Sequence, residues 1–227
     1  YPLRRQRQMC IRDRVFVAMN AVAPRPEHPL PDRPSEFVGR PKALFVGRLQ
    51  ARKRIDQLLQ ACAALPEALQ PDLWIVGDGP ARGSLESMAA AVYPATVFTG
   101  ALHGPDLEAR FRQADLFVLP GTGGLAVQQA MAYGLPVIVA QGDGTQDDLV
   151  RTAEDPAPAN GWRIPPGDLA ALQAALLEAL QSPQRLRRFG AESYRIVSAE
   201  INLEALVAAF VRAFNAVTGN AKLPESR

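Results

Sequence analysis

From Lys42 onward, six short apolar runs alternate with stretches of helical periodicity, and this alternation limits the fold more than any other feature. The runs are "KALFVG" from Lys42, "DLWIVG" from Asp72, "ATVFTG" from Ala95, "DLFVLP" from Asp115, "LPVIVA" from Leu135 and a weaker "GWRIP" from Gly161. Each is bounded by Gly, Pro or Asp, as strands are. Between them "IDQLLQACAAL", "ARGSLESMAAAV", "DLEARFRQA", "LAVQQAMAY" and "QDDLVRTA" carry helical periodicity. Strands that are apolar throughout rather than at alternate positions lie in a parallel sheet covered on both faces. The pattern therefore predicts an α/β fold, a doubly wound, parallel, Rossmann-like sheet. At 227 residues the chain has room for one such domain.

Beyond the sixth strand, Asp168 is the expected N-cap of "LAALQAALLEALQ", Pro183 closes that helix, and a further helix follows. In "INLEALVAAFVRAFNAV" the positions Leu203, Leu206, Val207, Phe210, Val211 and Phe214 form one apolar stripe. That stripe packs either on its own sheet or on a partner. Upstream, Val15 to Ala23 is a short apolar run, and the five prolines of "PRPEHPLPDRP" mark an irregular linker. The resulting division is 15–41 as hinge segment and linker, 42–200 as the domain, 201–217 as a terminal helix and 218–227 as a disordered tail.

The opening "YPLRRQRQMCIRDR" resembles a translated sequencing adapter, and residues 1–14 are set aside on that ground. The whole chain has 25 basic and 23 acidic side chains; without the five arginines and one aspartate of the opening, 20 and 22 remain, a net charge of −2. No basic stripe for a nucleic acid survives. Cys62 then stands without a second cysteine, so neither a disulfide nor a cysteine metal site is expected. His28 lies in the linker and His103 stands alone, which leaves no ligand set for a metal. No run approaches the ~20 residues of a membrane helix. The expectation is a cytoplasmic protein, free or attached peripherally to a membrane.

In an open parallel sheet, ligands bind beyond the carboxyl ends of the strands where strand order reverses. With the order 3-2-1-4-5-6, the first strand, ending at "FVGRLQARK", neighbours the fourth, ending at "LPGTGG". One loop offers Arg48 and Lys53. The other offers backbone N–H groups at the start of a helix from about Leu125 to Tyr133, with Gly134 as its stop. Both devices bind anions. Two ligands compete for the place: the pyrophosphate of a dinucleotide and the diphosphate of a nucleotide sugar. "GTGGLA" satisfies G-x-G-x-x-A, and Asp143 follows at about 20 residues, where a ribose-binding acid belongs. Such a fingerprint usually opens the first strand-helix unit, whereas this one follows the fourth strand, with Pro120 just before it. Asp78, in "IVGDGPARGSL", reads as a turn or cap residue.

The motifs "FVGRLQARK", "LWIVGDGPARGSLE", "VFTGAL", "ADLFVLP" and "GLAVQQAMAYGLPVIVA", in this order, resemble the carboxyl-terminal, donor-binding half of a family 4 (group 1) glycosyltransferase of the GT-B fold. The resemblance covers about Val15 to Val217, and "VAMNAV" matches the hinge from the amino-terminal domain. It implies transfer of a sugar from a nucleotide-sugar donor with retention, with no essential metal and no cofactor. Arg48 and Lys53 match the residues that neutralise the donor diphosphate, opposite the backbone of Thr122, Gly123, Gly124 and Leu125. Gly47, Gly77, Gly79, Leu102 and His103 fall at the nucleotide cleft. The family's Glu-x7-Glu pair is replaced by Gly121 and Gln129: Gln129 keeps a ribose contact, and the sugar contact passes to Thr122 or to the amides of Gly123, Gly124 and Leu125. Arg54 stands where the family usually has glycine, as a third cation at the diphosphate or as a solvated one.

The resemblance further implies a truncated enzyme, inactive alone, that lacks its amino-terminal, acceptor-binding domain. Its catalytic residues stay unassigned, and its acceptor is a glycan, a lipid-linked group or a small molecule. Relatives send their last helix back onto the missing domain. The competing classes are a non-catalytic nucleotide-sugar-binding module and a dinucleotide-dependent oxidoreductase.

Overall fold

A computed structural model describes residues 16, 18–21, 23–123, 125–142 and 145–218. The adapter-like opening, Gly124, Asp143 and the tail beyond Thr218 lie outside the described residues. Six parallel strands form one sheet: β1 (Lys42–Val46), β2 (Asp72–Val76), β3 (Thr96–Gly100), β4 (Leu116–Leu119), β5 (Val137–Ala140) and β6 (Gly161–Ile164). Their spatial order is β3-β2-β1-β4-β5-β6. Lys42 pairs with Asp72 on one side of β1, and Ala43 pairs with Leu116 on the other. The order reverses between β1 and β4, which places the switch point where the sequence reading puts it.

Both faces of the sheet are covered. α1 (Ile55–Ala63), α2 (Arg82–Val92) and α6 (Leu169–Leu180) lie on one face, with α1 packed against α2 and α6. α3 (Gly104–Gln113), α4 (Ala126–Ala132) and α7 (Pro183–Ala199) lie on the other, where α4 packs on α7 and Phe111 of α3 stacks on Tyr133 at 5.4 Å. This double cover explains why β4 and β5 are apolar without alternation: every residue of both is buried. The edge strand β3 is only partly covered and leaves Val97 exposed.

Asp168 caps α6 by accepting from Ala171 N at 2.9 Å, as the sequence predicts, and Ser182 caps α7 by accepting from Arg185 N, with Pro183 in its first turn. The helix expected over "QDDLVRTA" is shorter. α5 (Thr145–Leu149) stops because buried Asn160 intervenes: its amide donates to the Leu149 carbonyl, and its oxygen accepts from Arg151 N at 2.7 Å. A side chain that satisfies both groups replaces the next helical turn.

The linker has no regular structure, yet it is fastened along its length. Tyr194 Oη donates to the His28 carbonyl at 2.7 Å, His28 stacks on Tyr133 at 4.6 Å, and the Arg33 guanidinium donates to the carbonyls of Phe111, Ala114 and Tyr133. The last helix, α8 (Leu203–Thr218), starts beside the linker, where Leu203 N donates to the Ala23 carbonyl. Its stripe does not pack as a whole on the sheet. Leu206 and Ala209 face the core, whereas Val207, Phe210 and Phe214 are 58%, 64% and 65% exposed.

Candidate functional site at the switch point

Three loops meet at the carboxyl ends of β1, β2 and β4. The first two are interleaved through their backbones: Gly47 N donates to Val76 O, Leu49 N to Asp78 O and Ala81 N to Leu49 O, all at 2.9 to 3.1 Å. Glycine is required by this approach. A Cβ on Gly77 would lie 1.9 Å from Gly47 O, and one on Gly79 would lie 2.3 Å from Leu49 O. The three glycines assigned to the nucleotide cleft thus form the floor on which the loops lock together. Asp78 is a turn residue, accepting from Gly79 N and Arg82. Leu102 is half-buried against the core, and His103 is exposed at the start of α3.

After β1, residues Ala51–Lys53 make one 3-10 turn, and the chain then reverses at Arg54 with φ of 55°, the left-handed conformation that favours glycine. This turn aims Lys53 at the glycine loop. Lys53 is 6% exposed; its Nζ donates to the Thr122 carbonyl at 2.9 Å and also to the Gly123 carbonyl. Thr122 N returns a bond to the Arg52 carbonyl at 3.2 Å. Gly121 is pressed against the same turn, since a Cβ there would lie 2.1 Å from Arg52 O and 2.5 Å from Lys53 Cα. From the other side, buried Gln146 donates to the Gly121 carbonyl at 3.4 Å.

Arg52 and Arg54 are exposed on this turn, and Arg48 is exposed earlier in the same loop. The sequence reading passes over Arg52, whose Nη1 lies 3.4 Å from where a Cβ on Gly123 would sit. Its position in "QARKR", one residue before Lys53, is the signal for it. The helix behind the loop is shorter than expected, Ala126–Ala132, with exposed Leu125 preceding it and Gly134 at φ of 67° ending it.

A sequence model of the family described as glycosyl transferases group 1 matches residues 30–196. The chain belongs to this family. A GDP-mannose-dependent alpha-mannosyltransferase of Mycolicibacterium smegmatis is 44% identical over 112 residues, which are 48% of this chain and 28% of that protein. A sulfoquinovosyl transferase of Arabidopsis thaliana is 36% identical over 133 residues, 57% of this chain and 24% of that one. Among solved structures, a sucrose-phosphate synthase from Thermosynechococcus elongatus superposes with a TM-score of 0.67 at 28% identity, covering 81% of this chain and 47% of the synthase. The chain thus spans less than half the length of these relatives, and its fold is one half of a GT-B fold.

Two adjacent glutamines of α4 face opposite ways. Gln129, the expected ribose contact, is exposed, while Gln128 is 3% exposed and donates to the Ile201 carbonyl at 2.7 Å, tying α4 to the start of α8. Family membership removes the dinucleotide reading of "GTGGLA". Burial pushes the Cys62 thiol up to about 12, so it stays protonated and unreactive at neutral pH. Among the described residues no group of three His, Cys, Asp or Glu side chains is placed to hold a metal ion. Nor, among them, is any helix long and apolar enough to cross a membrane.

Proposed function

We propose that this glycosyltransferase chain is a donor-binding domain that holds a nucleoside diphosphate sugar at the β1–β4 switch point, for transfer with retention at the anomeric carbon. The observation that carries the reading is the turn after β1, where buried Lys53 fastens the carbonyls of the glycine loop and Arg52 reaches Gly123, with Arg48 and Arg54 exposed in the same segment. A trans peptide points its C=O and N–H to opposite sides, so holding the Thr122 carbonyl turns the Gly123 N–H away from the ammonium. Donors from the loop and the exposed arginines of the segment after β1 can then meet one diphosphate, with Lys53 holding the loop from behind. The relative named as GDP-mannose-dependent supports this donor class.

Negative charge grows on the departing diphosphate as the glycosidic bond breaks. Fixed cations and backbone donors aimed at that charge lower the barrier without reorganising, and no essential metal is needed for this. Gln129 offers a neutral amide to a ribose hydroxyl. The acceptor, a glycan, a lipid-linked group or a small molecule, binds the other GT-B half, onto which the exposed Val207, Phe210 and Phe214 of α8 dock. The domain alone binds donor without transferring sugar, because the anomeric carbon reacts in the cleft between two such halves, where water is excluded.

A second reading, a binding module without catalysis, is favoured by one observation: Gly121 is pressed against the Arg52 carbonyl, where no carboxylate side chain fits. A donor-consumption assay on the chain joined to an acceptor-binding half, with and without a chelator, decides between them. Turnover that survives chelation supports the metal-independent enzyme; donor binding without any turnover supports the module.

A further inference from the structure

The two neighbouring cations of the turn after β1 are bound to the glycine loop in different ways. Lys53 is bound through its side chain: the ammonium is 6% exposed and donates to the carbonyls of Thr122 and Gly123. Arg52 is bound through its backbone. Its carbonyl accepts from Thr122 N at 3.2 Å and lies 2.1 Å from where a Cβ on Gly121 would sit. Any residue supplies a carbonyl, so holding the loop makes no use of the Arg52 side chain.

That side chain is exposed, yet it is aligned. Its Nε donates to Gln50 Oε1 at 3.0 Å, and its Nη1 lies 3.4 Å from the point where a Cβ on Gly123 would sit. Among the described residues its terminal nitrogens have no hydrogen-bond partner, and no carboxylate forms an ion pair with it. The carboxylate of the interleaved loop after β2, Asp78, is taken by Gly79 N and Arg82. A guanidinium fixed at Nε, with both terminal nitrogens open to solvent, presents the planar fork that grips a phosphate. On the reading of the switch point as a diphosphate site, we propose that Arg52 is a direct ligand of the diphosphate and that Gln50 positions it. Lys53, spent on the loop carbonyls, then acts on the ligand through the loop.

The test is calorimetric titration of the full chain with GDP and with UDP, at low and at high salt, beside thermal unfolding of each variant. Arg52→Gln should bind the preferred diphosphate roughly 10-fold more weakly than the parent, with a flatter salt dependence and an unchanged Tm. Arg52→Lys should recover only part of that loss, because an ammonium has no fork. Gln50→Ala changes no charge, so a several-fold loss there comes from the released guanidinium alone. Lys53→Met should lower Tm, as Arg52→Gln does not. Parent affinity in Arg52→Gln, while Arg48→Ala weakens binding, would overturn the proposal and leave the diphosphate site standing. Parent affinity in both, or no diphosphate binding by the parent chain, would overturn the site as well. A fall in Tm in Arg52→Gln to match Lys53→Met would make Arg52 a structural residue, and full affinity in Gln50→Ala would remove the positioning role.

Discussion

Lys53 and Thr122, 69 positions apart, meet where the buried ammonium donates a 2.9 Å hydrogen bond to the threonine carbonyl. This bond joins the turn after β1 to the loop after β4 and spans the place where the strand order reverses. The site thus depends on one side chain that is both a charge and a strut.

Gly121 should tolerate no side chain. Its Cβ would lie 2.1 Å from the Arg52 carbonyl, so Gly121→Ala forces apart the turn and loop that Lys53 joins. The expected cost is about 1 to 3 kcal/mol by denaturant unfolding. Gly121→Glu, which restores the family's carboxylate, should be at least as destabilising and should not improve donor binding. A Gly121→Ala chain as stable as the parent contradicts the packing described.

Arg54 should be improved by glycine. Its φ of 55° costs an L-residue roughly 1 to 2 kcal/mol, part of which returns through the greater freedom of glycine in the unfolded chain. Arg54→Gly should therefore stabilise the fold by about 1 kcal/mol. If Arg54 only occupies the turn, nucleoside diphosphate affinity stays unchanged; a loss of affinity assigns it to the diphosphate as a third cation.

The two glutamines of α4 separate stability from binding. Gln128→Ala leaves the Ile201 carbonyl without its donor and should cost about 1 to 3 kcal/mol of stability. Gln129→Ala should leave the melting temperature in place and erase any preference for ribo- over deoxyribonucleotides. Gln129→Glu should tighten binding by about 1 kcal/mol at most, because the nearby diphosphate opposes a new carboxylate. Equal affinity for both nucleotide types in the parent removes the ribose role.

Glu200 makes the junction of α7 and α8 sensitive to acid. A side-chain hydrogen bond from Arg151, aided by one from Arg195, holds its carboxyl below the ordinary glutamate range. A depressed folded-state pKa contributes stability above the unfolded value, and that stability is lost as pH falls through the folded one. Unfolding measured from neutral pH into the acid range should show this loss, and Glu200→Gln should flatten it. An unchanged pH profile in that variant would assign the acid sensitivity to other carboxylates.

The sheet was legible in the sequence because parallel strands covered on both faces leave no alternation, and "DLFVLP" and "LPVIVA" could hardly form anything else. The capping by Asp168 was equally local. The glycines were harder, since Gly77, Gly79 and Gly121 are set by backbone approaching from other loops, which no local pattern displays. Neighbouring Gln128 and Gln129 are the same residue type on one short helix, and only the packing of Ile201 tells them apart. The hydrogen bonds by which Arg33 and Arg187 fasten the linker were hidden, because its prolines announce irregularity without saying what it lies against.

The most direct measurement is calorimetric titration of a nucleoside diphosphate into the parent chain, Arg48→Ala and Lys53→Ala, with thermal unfolding of each. A charge-assisted bond to a partly desolvated phosphate contributes roughly 1.5 to 3 kcal/mol, so Arg48→Ala should weaken affinity roughly 10- to 100-fold. Arg48 is exposed, and its loss should leave stability unchanged. Lys53→Ala should weaken binding by at least as much and also lower the melting temperature, because the Thr122 and Gly123 carbonyls lose their donor. Unchanged affinity in both variants would contradict the assignment of the β1–β4 switch point as the diphosphate site.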